Sequence, residues 1–256
     1  MIQSIAATFV DARRTGRSIQ QYPGSRPTDL KSAYIIQDEA LAIWDREIGG
    51  WKVGKINPPD SDRLGANRLA GPVFADAVHW ADGTIPCLPI FHGGFAAAEA
   101  EFMLQLNPQN GSLPETNAEA MKWVGQIRIG IELASSPYAG INADGPCVTV
   151  SDHGNNAAVV LGEPVDPKEW NRLDEIQVQT QIEGVTVGTA STATMLDGPF
   201  GAVRFLLANL AERGIAVQPG WWVSSGAITG VHEVAPGQTV TATFEGLGEV
   251  SLAIAS

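Results

Sequence analysis

With 256 residues, 44% of them hydrophobic and 17% charged, the chain is long enough to bury a substantial core in one large domain or two small ones. Its 28 Asp and Glu against 16 Lys and Arg leave a net charge of -12, which repels phosphate backbones and anionic headgroups, so neither nucleic acid nor a membrane is expected as a partner. No apolar run approaches the roughly 18 residues that span a bilayer, and the opening MIQSIAATFVDARRTG turns charged before a signal-peptide core develops, so a cytoplasmic protein is expected.

Residues 1 to about 50 read as helical. After the turn signals Tyr22-Pro23-Gly24 and Arg26-Pro27, Thr28 or Asp29 can cap a helix. In it Leu30, Tyr34, Leu41, Trp44 and Ile48 recur at near-helical spacing until Gly49-Gly50 stop it. From Trp51 onward Gly and Pro punctuate short β-prone runs at 51–53, 102–106, 127–133, 158–161, 176–182 and 240–244. A short helix is expected at 118–124. A longer one is expected at 199–213, where Val203, Leu206, Leu207 and Leu210 form an apolar stripe and Gly214 is the stop. Cys87 and Cys147 sit beside prolines in apolar surroundings and read as packing thiols. The strand-helix rhythm of a doubly wound fold is missing and no internal repeat is found, so a mixed α+β architecture follows. We expect a helical N-terminal region over 1–70 and a sheet-rich catalytic region over 71–256.

Nucleophile-elbow, phosphate-loop, HExxH and dinucleotide motifs are all absent, and His79, His92, His153 and His232 lack metal-ligand spacing. His92-Gly93-Gly94, with no nucleophile to serve, reads as a turn. Carboxylate chemistry remains. Glu99 and Glu101, if on a strand, project from one face about 6.6 Å apart, and Glu132 closes the apolar run Ile127-Arg128-Ile129-Gly130-Ile131. Three converging carboxylates cannot all stay ionised unless a cation holds them, and an all-oxygen set suits Mg²⁺ or Mn²⁺. By periodicity alone, both segments also scan as ordinary amphipathic strands with the acids toward water. Lys52, between Trp51 and Val53 in a glycine-flanked run, suits proton transfer or anion binding if desolvated, and otherwise is a strand lysine reaching solvent. Asp76 is an acid in an apolar stretch, a place where a turn or cap role is common.

Several segments, in this order and spacing, carry a family resemblance: Ala33-Tyr34-Ile35-Ile36-Gln37, Gly50-Trp51-Lys52-Val53-Gly54, the 71–76 segment, Glu99-Ala100-Glu101, Ile131-Glu132-Leu133, Ser151-Asp152 with Val160-Leu161-Gly162, Ala211-Glu212-Arg213-Gly214, Pro219-Gly220 and Ser225-Gly226. Together they resemble the 2-keto-4-pentenoate hydratases and the related 4-oxalocrotonate decarboxylases, within the fumarylacetoacetate hydrolase superfamily. The resemblance implies an α+β fold around a mixed β-sandwich roll, and a divalent cation, Mg²⁺ or Mn²⁺, held by Glu99, Glu101 and Glu132. That cation would chelate the carboxylate and 2-oxo oxygens of a small 2-oxo acid. It also maps the family's strand lysine to Lys52 and the acid of its Phe-Ala-Asp segment to Asp76, as acid/base and partner, and implies a homo-oligomer.

Departures from the family pattern bear on the substrate. The usual His-Pro is Gly198-Pro199 here, the usual Asp-Asn-Ala-Ser is Asp152-His153-Gly154-Asn155, and the usual Thr-Gly is Ser225-Gly226. We place Asn155, Ser191 and Ser225 at the substrate, with His153, Asn156, Thr192 and Thr194 as further polar lining. Because 151–156 and 188–198 contain no Lys or Arg, a short uncharged tail is expected. The expected activity is hydration of a 2-hydroxy-2,4-dienoate, as in aromatic-compound catabolism. Decarboxylation of a 2-oxo diacid, hydrolysis of a carbon-carbon bond in an acylpyruvate, and a non-catalytic homologue are the alternatives.

Overall fold

The computed structural model describes residues 2–256. Two helices open the chain, α1 (Ile2–Thr15) and α2 (Leu30–Ile43), and pack on each other. Ile5, Phe9 and Val10 of α1 and Ile36 and Ala40 of α2 share a small apolar cluster with Tyr22, Tyr138 and Val148. Asp29 caps α2 by accepting from the Ser32 amide, but the helix ends at Ile43, and Trp44 is already extended. Ile48, expected to close that helix, instead opens a strand. Its fate is set by tertiary pairing rather than by local spacing: a β-carbon on Gly50 would stand 2.0 Å from the Trp222 carbonyl oxygen of the neighbouring strand, an approach that only glycine permits.

The chain continues through β1 (Ile48–Lys55), α3 (Asp60–Leu64), β2 (Arg68–Phe74), β3 (Val78–Trp80), β4 (Cys87–Leu88) and the long β5 (Phe95–Leu106). Next come α4 (Asn117–Met121), β6 (Val124–Ser136), α5 (Pro146–Ser151) and β7 (Asn156–Pro164). The final third holds β8 (Gln177–Ile182), β9 (Val185–Ser191), α6 (Gly198–Glu212), β10 (Trp222–Ser224), β11 (His232–Glu233), β12 (Thr239–Phe244) and β13 (Gly248–Ile254). α4 starts from a capping box between Thr116 and Glu119 and gives way to β6 at Val124, two residues past its last turn and earlier than expected. α6 matches its expected span, and Gly214 follows it in the left-handed region at φ 69°.

The strands form two mixed sheets, one of eight strands in the order β2-β1-β10-β5-β6-β7-β3 with β11 beside β5, the other of five in the order β4-β13-β12-β8-β9. β13 packs on β6 and β7, and β8 packs on β5. Phe102 meets Phe244 across the layers at 5.5 Å between ring centroids. Val203, Leu206, Leu207 and Leu210 of α6 are buried in the same core. β1 and the start of β2 lie within the first 70 residues yet pair into the large sheet, so a boundary at 70 cuts a hairpin whose ladder runs from Lys55 opposite Arg68 to Ile48 opposite Phe74.

Candidate functional site

β5 and β6 are antiparallel neighbours, and their register sets Glu99 directly opposite Glu132 with Glu101 two residues along on the same face. Carboxylate oxygens of the three lie within 4.8 Å of one another. This face of β5 is not turned to water: Glu99 is 5% exposed, and Glu101 and Glu132 are fully buried. The amphipathic-strand alternative therefore fails, because both faces of β5 are covered. Glu101 is anchored through Oε2, which accepts from Ser224 Oγ at 2.5 Å and from the Gly226 amide at 2.8 Å. Glu132 is anchored through Oε1, which accepts from Asn156 Nδ2 at 2.8 Å. The other oxygens, Glu101 Oε1 and Glu132 Oε2, have no hydrogen-bond partner. Buried carboxylate oxygens without partners, grouped this tightly, fit a hard divalent cation that takes oxygen ligands.

Electrostatics agree with that fit. Burial pushes Glu99 up to about 7; Lys52 opposes the rise and the neighbouring Glu132 charge adds to it. Glu101 is held well above the usual carboxylate range by burial, then by Glu132 and Glu99. Lys52 is itself buried at 4% exposure on β1, with its ammonium 3.4 Å from Glu132 Oε2. Burial works to lower its pKa, and the Glu132, Glu99 and Glu101 charges outweigh that and raise it. The ammonium also donates to Asn155 Oδ1 at 3.4 Å, and Asn155 Nδ2 in turn donates to Asn142 Oδ1 at 2.9 Å.

Lys52 and Glu99 line a cleft of about 810 Å³, together with Asn155, Thr149, Asn142, Thr194 and Ser225. Ser225 Oγ is buried there without a partner. Other expected site residues are elsewhere. Asp76 sits in a short 3₁₀ turn after β2, five residues beyond Gly71, the cross-strand partner of Lys52. Its side chain is 69% exposed and pairs with Arg46, so it does not reach Lys52. An Asp that ends a buried strand turns outward because nothing inside satisfies its charge. Ser191 lies outside the cleft wall and spends its Oγ accepting from the Ala193 amide, and Thr192 accepts from the Ile176 amide. His153 is fully buried against Trp44 and Phe74, away from the cleft. Asn156 holds Glu132 instead of lining the cleft.

Residues 96–255 match the family model described as fumarylacetoacetate (FAA) hydrolase C-terminal. The chain belongs to this family. Among curated FAA hydrolase relatives it is similar to the 2-keto-4-pentenoate hydratase of Paraburkholderia xenovorans (strain LB400), 25% identical over 97% of this chain and 93% of that protein. It is also similar to the 4-oxalocrotonate decarboxylase of Pseudomonas putida, 31% identical over 47% of this chain and 46% of that one. Of solved structures, the 4-oxalocrotonate decarboxylase from Pseudomonas putida G7, complexed with magnesium and adipate, superposes with a TM-score of 0.81. It is 21% identical, over 99% of this chain and 97% of that chain. Fumarylpyruvate hydrolase from Pseudomonas aeruginosa, complexed with Mn²⁺ and pyruvate, has a TM-score of 0.59 at 17% identity, over 80% of this chain and 88% of that one. Within this FAA hydrolase fold, no helix among the described residues is long and apolar enough to cross a membrane.

Sequence reasoning missed the residues that hold the acids in place. Ser224 and the Gly226 amide come from β10 and the turn after it, and their role depends on β10 lying beside β5, which no local pattern announces. It also missed Lys55 and Arg68 in the cleft wall, contributed by the paired ends of β1 and β2. Both lie outside 151–156 and 188–198, the segments on which the expectation of an uncharged tail rests.

Proposed function

We propose that this FAA hydrolase homologue is a divalent-metal-dependent hydratase, a lyase that adds water to a 2-hydroxy-2,4-dienoate or its 2-oxo-enoate tautomer. The reading is carried by the three buried carboxylates in a cleft, with Glu101 Oε1 left without a partner and Glu132 Oε2 met only by the buried Lys52 ammonium. Glu99, Glu101 and Glu132 would hold Mg²⁺ or Mn²⁺. Bound there, the cation supplies positive charge that draws the carboxylate and 2-oxo oxygens of a substrate and stabilises negative charge developing at that end.

The chain's own groups supply the proton chemistry. Lys52, charged and within reach of the same end, is placed to hand a proton to the substrate and recover one, and Asn155 fixes where its ammonium sits. Ser225 Oγ is a free donor for a substrate oxygen. Asn142, Thr149 and Thr194 give the water a polar entry. The full-length alignment with a 2-keto-4-pentenoate hydratase supports hydration over decarboxylation. The test is incubation of the protein and Mg²⁺ with a 2-hydroxydienoate. Loss of the diene's ultraviolet absorbance should coincide with a product heavier by one water. Carbon dioxide release from a 2-oxo diacid, with no water adduct from any dienoate, makes the protein a decarboxylase and overturns the proposal.

A further inference from the structure

The cleft wall between Ser225 and Val231 departs from regular strand. Ser224, ending β10, stands opposite Met103, and His232, opening β11, stands opposite Ala98, so this segment takes eight residues where β5 takes five. The surplus lifts off the ladder as an arch, with positive backbone angles at Gly226 (φ 108°) and Gly230 (φ 102°). Its near half is fixed on β5: the Ser225 amide donates to the Phe102 carbonyl oxygen, the Ile228 amide to that of Ala100, and the Gly226 amide to Glu101. Beyond Ile228 the hold passes to the Thr229 side chain. Thr229 Oγ1 lies 2.7 Å from Thr180 Oγ1 on β8 and 3.1 Å from His232 Nε2. A hydroxyl has one proton to give and room to accept two, so with a neutral imidazole both bonds form in either tautomer, Thr229 donating to one neighbour and accepting from the other. The imidazole sits in a notch of β9, where a β-carbon on Gly188 would stand 2.5 Å from Nε2 and 2.9 Å from the Thr229 carbonyl oxygen. The far half of the arch thereby holds Val231 in the cleft wall at 50% exposure, an apolar surface that a bound molecule would bury.

We propose that His232 is a positioning residue: through Thr229 it fixes the far half of the arch, and so sets how tightly the cleft holds the part of a 2-oxo acid beyond its chelating end. The inference rests on the proposed role of the three-carboxylate cluster, which would take the chelating end. Because the two halves of the arch have separate anchors, loss of the imidazole should free residues 229–231 and leave the Gly226 contact to Glu101 as it is. A ring that merely filled the notch in β9 would disturb both ends of the cleft alike or neither.

The test is calorimetric titration of the full chain loaded with Mg²⁺, using oxalate, which has only the chelating end, and 2-oxopentanoate, which adds a propyl tail. His232→Leu should weaken 2-oxopentanoate binding at least about fivefold, with Mg²⁺ and oxalate affinities within about twofold of the parent. His232→Gln, whose amide both donates and accepts, should restore the loss. Thr229→Val should reproduce it, and adding His232→Leu to Thr229→Val should cost nothing more, because the imidazole acts through that hydroxyl. Unchanged 2-oxopentanoate affinity in His232→Leu, an equal fall for oxalate, no restoration by His232→Gln, or additive losses in the double variant each overturn the positioning role. If His232→Leu does not fold, Thr229→Val decides by the same split between the two acids. Failure of oxalate to bind the parent chain in a Mg²⁺-dependent way overturns the reading of the carboxylate cluster, and the positioning role falls with it.

Discussion

Glu101 illustrates how one carboxylate serves two purposes, since Oε2 accepts from Ser224 and Gly226 while Oε1 stays free. Glu101→Gln keeps the shape but removes a charge from the proposed cation site. Mg²⁺ affinity should fall at least tenfold, about 1.4 kcal/mol, while the metal-free variant melts no lower than the parent because one of three repelling acids is gone. Calorimetry and a thermal melt check both parts, and unchanged affinity in a folded variant removes the site. Lys52→Met makes the complementary test. Binding of Mg²⁺ and oxalate should persist, whereas exchange of the substrate's C3 protons with D₂O should slow by about 10² to 10⁴. Lost oxalate binding with normal exchange at saturation makes Lys52 an anion anchor instead.

At the scale of elements, α1 is tied to the site by one side chain. Arg13 donates to Asp152 through Nε at 2.5 Å and Nη2 at 2.9 Å, and to the Asn156 carbonyl oxygen at 2.9 Å. Asp152 also accepts from Ser136 Oγ at 2.6 Å, and the Arg13 charge holds its carboxyl below the usual range despite full burial. Arg13→Met strands a buried carboxylate and should cost about 3–5 kcal/mol, read from urea unfolding, with much of it restored in the Arg13→Met, Asp152→Leu double variant. A single variant within 1 kcal/mol of the parent contradicts this. The Glu99 and Glu101 pair was legible from the two-residue period of strands, and α6 from its stripe and its Gly214 stop. Glu132's place opposite Glu99, and Lys52's depth beneath both, depend on register between distant segments, which periodicity cannot supply. Asn155 and Asn156 are neighbours in sequence and both are expected in the pocket, Asn155 at the substrate and Asn156 in its polar lining. They part because the backbone at His153, Gly154 and Asn155 is left-handed, so Asn155 meets Lys52 while Asn156 meets Glu132.

For the molecule as a whole, His153 makes stability depend on mild acid. Its ring is fully buried among Trp44, Phe74 and Asp152, with both nitrogens unbonded. Burial lowers its pKa; Asp152 works the other way, and Arg13 and Arg46 add to the lowering. The unfolded chain therefore binds a proton near the usual value of about 6.5 that the folded chain refuses. The His153 contribution to stability should be full above that pH and fall as pH drops below it, by up to about 1.4 kcal/mol per unit. Asp152 has its own window: its depressed pKa contributes stability present above about 3.9 and lost as pH falls farther. Glu99 and Glu101, held above the usual carboxylate range, add stability as pH falls over the same window in every variant, so the change in urea midpoint between pH 7.5 and 5.5 should be less favourable to the parent chain than to His153→Gln. Equal slopes in both would show that His153 is not the titrating group.

The turn from Asp152 to Asn156 places five successive residues against α1, the Trp44 pocket, β2, Lys52 and Glu132. A β-carbon on Gly71 would stand 2.1 Å from the His153 carbonyl oxygen, so the turn and β2 also restrict each other. Such a segment is epistatic in the evolutionary sense: the side chain at 155 can drift only among residues that accept left-handed backbone, chiefly Asn, Asp and Gly. Of these only Asn and Asp offer Lys52 an acceptor, so the proton chemistry proposed for the cleft has few accessible neighbours in sequence space.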